Sequence, residues 1–216
     1  MKTNTHDRSG LSFLEVLFVV VTVALVGFTL LPRMARARCH GCCRISCTSN
    51  LKQIGLAFRL YSNDHDDRFP FAVSNDSDGT LGFVNSSQVI RHFESLSNEL
   101  ITPRILVCPS DAGRLRGFNF LTPLANSNLS YFVGLDADEA KPERLLSGDR
   151  NITGGKLSNG FLRLLRTNSP AGFTAAIHTN AGNIGLADAS VRQMTPRTLQ
   201  RQLQSNTLAV IRLAIP

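Results

Sequence analysis

The residues in this chain whose types and spacing suit chemistry fall into four groups. The first is Cys39-His40-Gly41-Cys42-Cys43, with Cys47 and Cys108 completing the five cysteines. Cys39 and Cys42 have the C-x2-C spacing of thiolate metal sites, and His40 or Cys47 would add ligands. A zinc clamp ordinarily draws a second ligand pair from another element, and none is evident. Disulfide and free thiol stand beside metal as readings, and the odd count leaves at least one cysteine unpaired within the chain. The second group is Asn63-Asp64-His65-Asp66-Asp67, which offers oxygen ligands at alternating spacing. It lacks the turn glycine and distal glutamate of a calcium loop, so a solvated turn is the stronger reading. The third is His178 with Asp188, a base and its orienter in form. No nucleophile is placed beside them, so they are expected to brace a turn between strands. The fourth is Glu15, an acid inside an otherwise apolar run. An ionisable group there is a functional hypothesis by default. The sequence has no nucleophile elbow, P-loop, H-E-x-x-H or dinucleotide loop, so neither enzyme activity nor a cofactor is expected.

The elements that must position these groups follow from pattern. Leu11 to Leu31 is apolar apart from Ser12, Glu15, Thr22 and Thr29, and its length meets the ~20 residues that a bilayer core requires. It is therefore expected to be transmembrane. Pro32 predicts a kink, and residues 32–62 are expected to continue the helix and pack on the soluble domain through Ile45, Leu51, Ile54 and Phe58. Gly41 and Gly55 weaken that pattern without ending it. Ser87 to Ile101 reads as a helix, Ile105 to Cys108 as a short strand, and Ser130 to Gly134 as another. Gly148-Asp149-Arg150-Asn151 reads as a turn. Asn159-Gly160 signals a type I′ hairpin leading into a strand over 161–165. Strands are expected at 174–178 and 183–187 with a turn between them, and Thr198 to Ile215 reads as a C-terminal helix. The net charge of +7 is scattered arginine with no interleaved stacking aromatics. It indicates solubility and juxtamembrane charge rather than nucleic-acid binding.

The leader ending Arg8-Ser9-Gly10, followed by Leu11-Ser12-Phe13-Leu14-Glu15 and the apolar run, resembles the type IV prepilin and type II secretion pseudopilin signal. The segments Cys47-Thr48-Ser49-Asn50-Leu51-Lys52-Gln53-Ile54-Gly55, Tyr61 to Pro70, and Ile105 to Asp111 resemble the cores of pseudopilin-like proteins. His178 and Asp188, with nine residues between them, resemble the H-x9-DG pattern of that group, with Ala189 in place of Gly. The resemblance implies cleavage between Gly10 and Leu11 by a prepilin peptidase, N-methylation of Leu11, and assembly through Glu15. It also implies a disulfide between Cys47 and Cys108, the two cysteines within matching segments.

The expected fold is α+β and pilin-like: a long N-terminal helix, its first half transmembrane, packed on a small antiparallel sheet. The expected organisation is a leader at 1–10, a membrane helix at 11–31, its continuation at 32–62 and a globular domain at 63–216. The implied function is that of a structural subunit of a pseudopilus or type IV pilus-like fibre. Its partners would be itself and other pseudopilins, the peptidase, an inner-membrane assembly platform and membrane lipid. The implied location is the bacterial inner membrane, single-pass, with the domain in the periplasm, then the pseudopilus or cell surface after assembly. Lys2 and Arg8 before the run against Arg33, Arg36, Arg38 and Arg44 after it would by charge alone orient the domain inward; the resemblance orients it outward. The alternative expectation is a membrane-tethered periplasmic domain that binds a ligand and never polymerises.

Overall fold

The computed structural model describes residues 13–166, 170–206 and 208–216, and the side chains of these apart from residues 29–42. Helix α1 runs Phe13–Asn63. The chain divides into two compact units, 1–42 and 43–216.

In the first unit, the described side chains from Phe13 to Phe28 are almost all apolar and mostly exposed. Among the described residues, no helix is long and apolar enough to cross a membrane. The expected transmembrane first half is therefore corrected, and with it the single-pass inner-membrane location. Gly10 and Leu11 lie outside the described residues, as do the side chains of Cys39, His40 and Cys42.

The second unit begins within α1. Cys47, Leu51, Ile54, Phe58 and Tyr61 recur at three- and four-residue spacing and are all buried, so the helix presents one apolar stripe to a core. After α1 come two single-turn helices, α2 (Arg91–Glu94) and α3 (Ser97–Leu100). They divide the single helix expected over 87–101, yet Phe93, Leu96 and Leu100 still point inward together. Residues Pro103–Leu106 form a 3-10 turn in place of the expected strand, with Pro103 at its start. Proline fixes φ near the helical value and has no N–H to offer a sheet.

Among the described residues nine strands follow: β1 Tyr131–Gly134, β2 Leu145–Asp149, β3 Ile152–Gly154, β4 Lys156–Ser158, β5 Leu162–Arg166, β6 Ala171–Phe173, β7 Gly182–Leu186, β8 Val191–Met194 and β9 Val210–Ala214. A nine-residue helix, α4 (Pro196–Gln204), precedes β9 and is capped by Thr195 and Thr198 in a reciprocal box. Seven strands form one antiparallel sheet in the order β4-β5-β9-β1-β2-β7-β8, and β3 pairs with β6 alone. This corrects the expected small pilin sheet. The α+β class stands, but only β1, β5 and β7 fall where strands were expected; 174–178 is loop and turn rather than strand, and β2, β3, β4, β6, β8 and β9 were not anticipated. Asp149, read as part of a turn, ends β2, and the segment read as the tail of a helix is β9. Ser205 and Asn206 end α4, after which Val210–Ala214 pairs with β5 on one side and β1 on the other.

The central strands β1, β2 and β7 are buried along their whole length, so they show no alternation of buried and exposed positions. Tyr131, Val133 and Leu146 join the α1 stripe in one core, while Phe132, Leu145, Ile184 and Leu213 join α4 in the other. The Asn159-Gly160 hairpin forms as expected, with φ of 54° and 75° at the two turn positions.

Candidate functional site

The two ends of α1's buried half meet different turns, and the site lies at the end nearer Cys47. Cys47 on α1 is joined to Cys108, in the segment after the Pro103–Leu106 turn, by a disulfide with Cα atoms 5.1 Å apart across 61 positions. Cys43, four residues before Cys47 on the helix, is a free thiol. Both bridged cysteines are fully buried.

His178 reaches the same place from the loop between β6 and β7. Its Nε2 lies 3.4 Å from Cys108 Sγ and 3.5 Å from Asp149 Oδ2. A bridged sulfur has no proton to give. The imidazole contact is therefore favourable to both neighbours when Nε2 carries the hydrogen and Nδ1 does not. Both partners sit at one ring nitrogen, whereas a nucleophile–base–orienter relay uses one nitrogen for each. The geometry thus gives no catalytic triad.

Holding His178 there strains the backbone. His178, Thr179 and Asn180 have φ of 53°, 51° and 60°, three consecutive non-glycine residues in the left-handed region. That region is unfavourable by about 1–2 kcal/mol per residue. Hydrogen bonds from elsewhere hold the segment in place. Arg44 on α1 donates to the His178 carbonyl at 2.8 Å. The Asn151 side-chain amide donates to the carbonyls of Thr174, Ile177 and Ala181 at 2.8, 3.0 and 3.1 Å. One amide group thus spans the loop from its start to its end.

Asp149, at the end of β2, is fully buried. Its Oδ2 accepts from Asn183 N at 2.7 Å and from Asn183 Nδ2 at 3.0 Å, while Oδ1 is buried with no hydrogen-bond partner among the described residues. Burial pushes the carboxyl up to about 7 against the pull of the two Asn183 hydrogen bonds, and the nearby Asp111 charge adds to the rise. His178 is driven down to about 4, by burial first and then by the Arg44 charge. Between those values both groups are neutral, and the contact is not an ion pair. Next along the chain, Arg150 holds Asp111 in a two-pronged ion pair, Nε to Oδ2 at 2.7 Å and Nη2 to Oδ1 at 2.8 Å. Burial alone would raise Asp111, but the Arg150 hydrogen bonds and charge hold it below the usual carboxylate range. Asp111 N in turn bonds the Cys108 carbonyl at 2.9 Å, so this ion pair fixes the turn that carries Cys108.

The other sequence candidates are placed elsewhere. Asp188 follows the far end of β7 from His178 and is exposed. Its Oδ1 accepts from Ser190 N at 2.8 Å, and β7 separates it from His178 by about 17 Å of strand. The two do not meet. Ala189 holds a φ of 63° despite its side chain. Gly55 on α1 faces that turn, and a Cβ on Gly55 would stand 3.0 Å from Ala189 Cα. The glycine in the middle of the helix therefore makes room for a turn. Asp66 and Asp67, with φ of 54° and 58°, lead out of α1, and their acids gather no ligand set. Among the described residues, the one His, Cys, Asp or Glu cluster with ligand atoms close enough for a metal is Cys47, Cys108 and His178, all within 4.8 Å of one another. Glu15 lies in the first described turn of α1 and is exposed.

Asp149, Asn183, Asn151 and Arg44 were not read as site residues from sequence. The signal for two of them was present in Gly148-Asp149-Arg150-Asn151, a polar run that a strand end and the following turn both explain. Compared with family models, with curated proteins and with solved structures, the chain finds no match to any of the three.

Proposed function

We propose that this chain is a structural subunit of a pseudopilus or pilus-like fibre, cleaved after Gly10 and assembled through the first half of α1 with copies of itself and with related subunits. The observation that carries the reading is the surface of α1 from Phe13 to Phe28. Phe13, Phe18 and Phe28 are 82%, 71% and 81% exposed, and the residues between them, Glu15 and Thr22 apart, are apolar. A helix apolar all round is stable when other apolar surface encloses it, and so large an exposed patch marks an association site. A bundle of such helices, one from each subunit, supplies that enclosure. Glu15, within this surface, gives the bundle a register. Cleavage by a prepilin peptidase would free the α-amine of Leu11, and staggering that brings each Glu15 to a neighbour's amine compensates both charges.

The buried cluster supports a non-catalytic role in this reading: the disulfide and the His178 loop fasten α1 to the sheet. The test is expression with and without an active prepilin peptidase. Intact mass should show loss of residues 1–10 only with the peptidase, and Gly10→Val should retain them. Glu15→Ala should be cleaved but give no ordered fibres by electron microscopy. Uncleaved wild type in the presence of the peptidase, or normal fibres from Glu15→Ala, would overturn the proposal.

A further inference from the structure

We propose that the reduced form of this chain holds one thiophilic divalent cation, zinc in preference, through Cys47 Sγ, Cys108 Sγ and His178 Nε2. The disulfide and the metal would be alternative fastenings of the same three residues.

The geometry carries the inference. Tetrahedral zinc, with Zn–S near 2.3 Å and Zn–N near 2.0 Å, places a sulfur and a nitrogen ligand about 3.5 Å apart. Cys108 Sγ and His178 Nε2 are already 3.4 Å apart, and the third ligand atom is within 4.8 Å of both. Only the bonded sulfurs must separate, to ~3.7 Å by the same tetrahedral arithmetic, which side-chain rotation about the two Cβ atoms provides. The His178 ring is held from outside the cluster: Arg44 holds its carbonyl and Asn151 the carbonyls on either side. Three consecutive left-handed residues present it, and backbone strain of this kind collects at ligand clamps. Asp149 Oδ2 lies beside the cluster, 3.5 Å from Nε2, without belonging to it.

The chemistry balances. A dithiol reductant gives two electrons and two protons to the Cys47–Cys108 bond and becomes a disulfide itself, leaving two thiols. The cation displaces both thiol protons to solvent, and His178 ligates through Nε2 once its hydrogen has moved to Nδ1. Two thiolates and one neutral imidazole around a divalent cation carry no net charge. That suits a site whose cysteines are wholly buried, since an unpaired buried charge is strongly unfavourable.

The experiment uses the full chain with Cys39, Cys42 and Cys43 replaced by serine, so that only the two bridging cysteines remain. The protein is reduced in denaturant with dithiothreitol, freed of reductant and refolded without oxygen in the presence or absence of one equivalent of Co2+. The expected result is thiolate-to-cobalt charge-transfer absorption and tetrahedral d–d bands at one cobalt per chain, competed by Zn2+ and absent from the oxidised protein. His178→Ala should weaken binding by at least about tenfold and shift the d–d bands, a change that loss of packing alone does not produce. Metal-dependent refolding of the reduced chain, read by circular dichroism, also supports the site. A reduced chain that folds but shows no thiolate–cobalt bands overturns it, as does binding unaffected by His178→Ala. So does failure to refold with metal when the oxidised chain refolds under the same conditions.

Discussion

The two ends of β7 begin and end one sequence pattern, His178 to Asp188, and they are built in opposite ways. At the His178 end the loop is strained, its imidazole is buried, and it is held by residues from four distant places: Arg44 on α1, Cys108, Asp149 on β2 and Asn151. At the Asp188 end the turn is exposed, and the acid bonds a backbone N–H two residues away. Both ends use left-handed backbone without glycine. Strain alone therefore does not mark a functional site. Strain sustained by long-range contacts to chemically capable groups does, because such contacts must be kept together by the whole fold.

The largest way to break the contrast is to remove the bridge. Cys47→Ala with Cys108→Ala releases a cross-link spanning 61 positions. By the chain-entropy relation that is about 4 kcal/mol of stability. Denaturant unfolding should show that loss. A loss of less than about 1 kcal/mol would mean that the His178 end is held without the bridge.

Next comes Asp149. Asp149→Ala deprives Asn183 N and Nδ2 of their acceptor in a buried place, an expected loss of about 3 kcal/mol. Asp149→Asn isolates the charge. With the folded-state carboxyl raised to about 7 and the unfolded one near 3.9, the native state holds the extra proton between those values. Its contribution to stability therefore falls as pH rises from about 4 through 7. The asparagine variant has no such fall, so its melting temperature relative to wild type should climb over that interval. A flat difference would show that Asp149 is ionised in the folded protein throughout.

Thr179→Gly tests the strain itself. Thr179 is exposed with φ of 51°, a conformation that glycine adopts freely and a β-branched residue does not. The substitution should stabilise the protein by about 1 kcal/mol, an unusual sign for glycine. Destabilisation would mean that the hydroxyl or methyl group makes contacts that outweigh the backbone term.

These expectations also show what could be read from sequence. The α1 stripe from Leu51 to Phe58 and the Asn159-Gly160 hairpin were legible because local periodicity and turn chemistry decide them. Cys47 and Cys108 were singled out by resemblance alone; nothing in their spacing brings two residues so far apart in sequence together. Asp149 was illegible for a physical reason. Leu145–Asp149 is buried on both faces, so it shows no alternation, and its last three residues, Ser147, Gly148 and Asp149, carry turn chemistry. β9 was missed because Leu199 and Leu203 supply a true helical stripe and the apolar tail after them continues its pattern. Only the gap between β5 and β1 makes that tail a strand.

The smallest expected effect is at Asp188. Its resemblance to half of a paired motif makes it a tempting partner for His178, and the structure places β7 between them. What Asp188 does locally is accept one hydrogen bond, from Ser190 N at 2.8 Å, at an exposed position. Water replaces an exposed acceptor at little loss, so Asp188→Ala should remove about 0.5–1 kcal/mol, the ordinary net value of one such bond. Leu186 N still bonds Ser190 O, and Ala189 N still bonds Leu186 O, so the turn survives. A double-mutant cycle with His178→Ala gives the sharper reading. Sites beyond opposite ends of a strand about 17 Å long, with no shared hydrogen-bond partner among the described residues, should add to within ~0.5 kcal/mol. A coupling above about 1 kcal/mol would mean that β7 transmits between its two ends, and the contrast between a braced end and a self-contained end would no longer hold.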